Sequence, residues 1–155
     1  MAVISRSSKA FIYAGLLAGA LDLTAACVTN YRISPVRIFQ SIASGIYGRA
    51  AYEGGASTAV LGIFLHFVIA FGAAAAFFLA SRKIKFLTER PFVSGALYGI
   101  AVYWFMQLVV LPLSNFPGKN NFAPGAVITG LIVHILCVGL PIALVVARYS
   151  KPKDL

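Results

Sequence analysis

Asp22, His66 and His134 are the residues whose types and spacing can do chemistry in this chain. Each stands well inside a long apolar stretch, where an ionisable side chain is costly to place and usually marks a site. A carboxylate at that depth is an anionic seat for a cation or a proton, and imidazoles titrate near neutral pH, so the two histidines can act as relay or ligand groups. Two His and one carboxylate are also a recurring iron set. Two His at equal depth on different helices can hold a haem axially, with Gly62 and Gly130 leaving room beside the macrocycle. A structural reading stands beside these: Asp22 accepts a hydrogen bond from one imidazole, and the polar layer fixes the register of the helices. No Cys/His cluster, phosphate-binding glycine loop or Ser-His-Asp order accompanies the three residues, so no catalytic residue is assigned and no enzyme activity follows.

The elements that must position them are four apolar stretches, 10–29, 58–80, 92–113 and 126–147, and Asp22 is the one formally charged side chain within them. At ~1.5 Å rise per residue each can cross a hydrocarbon layer of ~30 Å. Composition agrees: 60% hydrophobic residues, 11% charged residues and a mean hydropathy of +0.88 depart from the roughly 25% charged residues of soluble domains. The expected fold is all-α, a single integral membrane four-helix bundle that uses nearly all of the 155 residues and leaves no room for a soluble catalytic domain larger than the 30–57 segment. The lipid bilayer is then the obligatory partner, and a homo-oligomer or a larger membrane complex is open.

A net charge of +9 can signal nucleic acid, but here the basic residues sit at span ends instead of on one soluble face, which excludes that partner. Arg6 and Lys9 precede the first span, Arg82, Lys83, Lys85 and Arg90 lie between the second and third, and Arg148, Lys151 and Lys153 follow the fourth. The positive-inside tendency makes these segments, and so both termini, cytoplasmic in a bacterial inner membrane. Arg32, Arg37 and Arg49 in the first outer loop partly oppose this, and Lys119 is the basic residue of the second. The start of the chain resembles a lipoprotein signal ending at Ala25-Ala26-Cys27. Its apolar run, however, is longer than the usual ~7–15 residues, Asp22 interrupts it, and Thr24 stands where such a signal has Leu, so an uncleaved helix is expected.

An internal repeat is visible. Gly62-Ile-Phe-Leu-His66 matches Gly130-Leu-Ile-Val-His134 at an offset of 68 residues, and Gly15-Leu-Leu-Ala-Gly19 matches Gly95-Ala-Leu-Tyr-Gly99 at an offset of 80. The difference, 12 residues, is about the excess of the first outer loop over the second. The chain therefore reads as two parallel helical hairpins, the first carrying an insertion. Identity is thin: over 59–81 against 127–149 only Gly62/Gly130, His66/His134 and Ala75/Ala143 coincide. Within the insertion, Ser34-Pro35 is an N-cap followed by proline at the first helical position, and Ile38, Phe39, Ile42, Ile46 and Tyr47 recur at helical spacing, predicting a short amphipathic helix over 35–48.

Small residues predict how the spans associate. The Gly15/Gly19 and Gly95/Gly99 pairs can bring the first and third spans into direct contact, with Gly62 and Gly130 giving further close approach. Counting residues from the assumed span edges puts Asp22, His66 and His134 each ~12 Å from the outer edge, on three different helices, and Gln107 at ~8 Å, so one layer can hold all four. The same arithmetic places Cys27 and Cys137 roughly 4 and 16 Å from that edge, too far apart in depth for a disulfide. Pro112 and Pro141 can break helical hydrogen bonds, and Tyr103, Trp104 and Phe105 are lipid-facing or interhelical aromatics.

The run Gly15-Leu-Leu-Ala-Gly19-Ala-Leu-Asp22, the Ser34-Pro35 and Gln40-Ser-Ile-Ala-Ser-Gly45 segments, His66, and Val138-Gly139-Leu140-Pro141 together resemble a group of small uncharacterised bacterial inner-membrane proteins. More distantly they resemble the YagU-like family, with its Gly-rich first spans and intramembrane histidines. The resemblance implies a multi-span inner-membrane protein and carries over no catalytic residue. Three functions fit the sequence: a small transporter or channel-like protein handling protons, ions or small molecules, an accessory subunit of a larger membrane complex, or a redox subunit with haem or metal.

Overall fold

The computed structural model describes residues 6–118 and 122–150, and Lys119, Lys151 and Lys153 lie outside them. Every regular element among the described residues is helical: α1 (Arg6–Thr29), α2 (Pro35–Tyr47), a 3-10 segment (Gly48–Tyr52), α3 (Gly55–Ser81), α4 (Phe86–Glu89), α5 (Pro91–Phe105), α6 (Leu111–Leu113), α7 (Pro124–Val133) and α8 (Leu140–Ser150). A π-helical segment, Met106–Val110, joins α5 to α6, and a second, His134–Gly139, joins α7 to α8. Each continuous run is long enough to be one span. The four helices long and apolar enough to cross a membrane are Lys9–Thr29, Gly55–Ser81, Pro91–Leu113 and Pro124–Ser150.

The two π segments have a local cause. Pro112 and Pro141 lack an N–H, and each ring presses on the carbonyl four residues back, at Leu108 and Cys137. Both carbonyls fall in the π-helical stretches, whose wider turn accommodates the ring without ending the helix.

Helices satisfy their own backbone groups, so what they present outward decides their solvent. Leu16, Val60, Phe64, Leu79, Leu97, Leu108 and Ile132 are all exposed on the outside of the bundle. With four such spans, the chain is a multi-pass membrane protein whose outer surface meets lipid.

In cross-section the spans form an arc. α3 packs on α1, α1 on the fourth span, and the fourth span on α5. The ends of the arc, α3 and the third span, do not pack helix against helix, and a cavity of about 540 Å³ lies between them. The buried core, Ala14, Ala18, Ala74, Phe77, Val138, Ile142, Ala143 and Val146, fills the half of the bundle nearest the chain termini. There the arc is bridged by Tyr98, whose hydroxyl donates to the Ala73 carbonyl at 2.7 Å and whose ring meets Phe77 edge-on at 5.0 Å.

Glycine sets the contacts, but not between the first and third spans as the sequence led us to expect. A Cβ on Gly15 would strike the Phe71 ring, and one on Gly19 would meet Phe67 at 2.7 Å, so α1 uses its pair against α3. A Cβ on Gly99 would come within 2.6 Å of the backbone of His134 and Ile135, and Gly139 lies against the backbone of Gly95 and Gly99, so α5 uses its pair against the fourth span. Each pair therefore serves the span that follows it in the chain. Gly130 gives its space to the Tyr103 ring, and Gly62 to the Phe39 carbonyl of α2.

Helix α2 begins at the Ser34 cap, whose Oγ accepts from the Arg37 N–H, and ends at Gly48, where φ of +59° suits a residue without Cβ. Ile38, Gln40, Ala43 and Ser44 are buried against the bundle. Gln40 Nε2 donates to the Gly55 carbonyl at the start of α3, 3.0 Å away. At its other end the Asn115 backbone N–H donates to the Gly45 carbonyl at 2.8 Å, and Asn115 Nδ2 donates to the Ile46 carbonyl at 2.7 Å. Helix α2 thus ties α3 to the loop that follows the third span.

These contacts predict an asymmetric response to bulk. Gly139→Val should lower stability by at least about 1–3 kcal/mol, the usual cost of overpacking. Gly72→Ala, at a position with nothing within 4 Å of the added carbon, should be neutral or slightly stabilising. Thermal unfolding of the two variants in detergent checks both.

A candidate ion or proton chamber

His66 lies in the middle of α3, on the face turned towards α1. Its Nε2 is 2.9 Å from the Gly19 carbonyl oxygen and 3.9 Å from Asp22 Oδ2. A carbonyl oxygen only accepts, so Nε2 carries the proton and donates it to Gly19, and the neutral ring keeps its lone pair on Nδ1. Asp22, one turn beyond Gly19, sits at ion-pair range of the same nitrogen but outside hydrogen-bond distance. The hydrogen bond from His to Asp22 that the sequence allowed is made to the α1 backbone instead. The side chains are 13% and 22% exposed for His66 and Asp22.

His134 opens the π-helical segment of the fourth span. Its Nδ1 donates to the Gly130 carbonyl at 2.9 Å, one turn back on its own helix, leaving the lone pair of the neutral ring on Nε2. The ring stands edge-on to Tyr103 at 5.4 Å, and Tyr103 is buried in the space Gly130 leaves open.

Asp22, His66 and His134 line one cavity of about 120 Å³. They reach it from α1, α3 and the fourth span, and its remaining walls are apolar, with Ile42 of α2, Ile69 of α3 and Val102 and Met106 of the third span among them. Gln107 is not part of this lining. The third span contributes its neighbour Met106 instead, because consecutive residues of a helix point in different directions. Cys27 and Cys137 are both free thiols.

The chamber is small for a prosthetic group. Small-molecule and cofactor sites generally occupy ~300–1,000 Å³, so about 120 Å³ has no space for a haem between His66 and His134. Among the described residues no three His, Cys, Asp or Glu side chains group closely enough to hold a metal ion. One nitrogen of each imidazole is already committed to a backbone carbonyl. What the arrangement can do is hold and pass a proton, or seat a small cationic or hydrogen-bonding group beside Asp22.

No known protein family, curated protein or solved structure matches this chain. Its chemistry has to be read from the chamber.

The residues whose roles sequence reasoning missed are mostly apolar. Ile42, Ile69 and Met106 shape the chamber, and Gly139 and Tyr98 decide which helices touch. In a span made almost wholly of such residues, nothing in type or spacing distinguishes a lining residue from a lipid-facing one.

The hydrogen bonds fix opposite tautomers, and ¹⁵N-edited spectra of labelled histidine at pH 8 should show them: Nε2–H for His66 and Nδ1–H for His134. A charge-bearing site and a structural layer also part company at Asp22→Asn. With no hydrogen bond from His66 to lose, this variant should stay within about 1 kcal/mol of the parent in stability while losing any binding that needs the carboxylate.

Proposed function

We propose that this protein is a small transporter or channel-like protein of the bacterial inner membrane that handles protons, small cations or weakly polar molecules through its buried Asp/His chamber. The observation that carries this reading is the convergence of Asp22, His66 and His134, from three spans, on one small cavity. Ionisable groups placed inside a bundle are costly and cluster where a membrane protein moves charge. The chamber is also selective by size. Apolar walls and a volume of about 120 Å³ suit a proton, a small ion or one end of a larger molecule, and not a large polar solute.

The same reading puts both termini in the cytoplasm. Arg82, Lys83, Lys85 and Arg90 between α3 and α5, with Arg148 after the fourth span, support this by the positive-inside tendency. Helix α2 then lies on the periplasmic side as an amphipathic helix, exposing Val36, Ile46 and Tyr47 while burying Ile38 and Gln40. Ile42 of this helix caps the chamber from that side.

A two-hairpin repeat is part of the proposal, and matching contacts support it. Gly15 meets Phe71 and Gly19 meets Phe67 in the first hairpin, while Gly95 meets Gly139 and Gly99 meets Ile135 in the second. These pairs are related by the offsets of 80 and 68 residues found in the sequence. The second hairpin is tighter because glycine and isoleucine replace two phenylalanine rings. Membership of the group of small inner-membrane proteins, or of the YagU-like family, rests on the sequence resemblance.

Two measurements test the reading. Cysteines introduced at Thr88 and Ser150 should be labelled by an impermeant reagent from the cytoplasmic side, and labelling from the periplasm would reverse the topology. Reconstituted protein should show a proton or cation flux above that of empty liposomes. The flux should vanish in the His66→Ala/His134→Ala double variant. Flux equal to that of empty liposomes would leave an accessory subunit as the surviving function.

A further inference from the structure

The chamber does not stand alone. The cavity of about 540 Å³ between α3 and the third span and another of about 390 Å³ beneath α2 both border it. Ile69 of α3 and Met106 of the third span belong to the walls of all three. They stand opposite each other as the partition between a wide apolar cleft and a small polar end-chamber. Gly72, Ala73, Ala76 and Ala101 keep the cleft open by their size, and the Tyr98 hydrogen bond to Ala73 spans it at one end.

The cleft lies within the spanning stretches of two helices, so its side opening faces hydrocarbon. Whatever enters it is apolar along most of its length and arrives from the bilayer. The chamber then specifies the other end of the molecule. His66 has spent its N–H on Gly19 and His134 has spent its N–H on Gly130. With both rings neutral, the three side chains offer only acceptors: the Asp22 carboxylate oxygens, His66 Nδ1 and His134 Nε2. The other side chains of the lining are Ala, Ile, Val and Met, none of them a donor. An anionic or acceptor-only head group would meet no partner there, whereas a small ammonium would be matched in charge by Asp22 and in hydrogen bonding by the imidazoles.

We propose that the protein binds single-chain amphiphiles with a small cationic head, taken up sideways from the bilayer, the alkyl chain lying in the cleft between α3 and the third span and the ammonium reaching Asp22, His66 and His134 past Ile69 and Met106. The proposal rests on the chamber being a binding site and names the class of molecule it accepts. The cleft, at about 540 Å³, falls in the range of ordinary ligand sites, ~300–1,000 Å³. Flexible Met106, at the start of a π-helical segment, can yield to a passing chain.

The test uses the full chain in phosphatidylcholine nanodiscs and radiolabelled dodecylammonium. Saturable binding is expected, competed by unlabelled dodecylammonium and not by dodecyl sulfate. Asp22→Asn should weaken it at least about tenfold. Ile69→Trp, which fills the partition, should do the same, and so should Ala101→Phe, a cleft position exposed enough to tolerate the ring without unfolding. Ala101→Phe should keep the flux of the parent, because Ala101 lines the cleft and not the chamber. Absence of saturable binding, equal competition by dodecyl sulfate, or binding indifferent to both cleft variants would overturn the proposal. Dodecylammonium binding without any flux would instead overturn proton or ion handling while leaving the amphiphile site in place.

Discussion

Lipid tails are as good a neighbour for an apolar side chain as another helix is, so spans cohere where their backbones come close enough to gain contacts that lipid cannot supply. In this protein that constraint is met by glycine. Gly99 and Gly139 place α5 and the fourth span backbone against backbone. Gly15 and Gly19 admit the rings of Phe71 and Phe67, and Gly62 takes the carbonyl of Phe39. The chamber follows from these approaches. His66 reaches the Gly19 carbonyl because α1 and α3 meet at a residue with no side chain, and the same contact brings Asp22 to the imidazole.

Much of the architecture was legible in the sequence because the bilayer imposes it. Four long apolar stretches can be helices and little else, and each lies within a helix long and apolar enough to cross a membrane. The pairing of helices was not legible. A Gly-xxx-Gly pattern says that some backbone comes close and does not name the partner, and the partner here depends on Phe67, Phe71, Ile135 and Gly139, ordinary residues in an apolar span. Depth arithmetic brought Asp22, His66 and His134 to one layer, and they do share a cavity. The same arithmetic carried no rotational information, so Gln107 was grouped with them although its neighbour Met106 faces the chamber.

Hydrogen bonding inside the chamber shows how backbone carbonyls can orient the side chains of a polar site. Each histidine is oriented by one carbonyl, His66 across an interface and His134 within its own helix. The second arrangement sits where the π-helical turn begins, upstream of Pro141. Proline therefore acts at a distance of a few residues, through the widened turn it requires, on the place where a functional side chain is presented.

Helix α2 and Tyr98 together set the mechanics of the open side. At one end of the cleft Tyr98 ties the third span to α3 through Ala73. At the other, α2 is bound to α3 through Gln40 and to the loop beyond the third span through Asn115. Two beams fastened at both ends cannot swing apart like a hinged door. They can bow between the ties, over a stretch that includes Ile69 on α3 and Met106 on the third span. Such bowing widens the gap beside the chamber that holds Asp22 while both ends of the cleft stay tied.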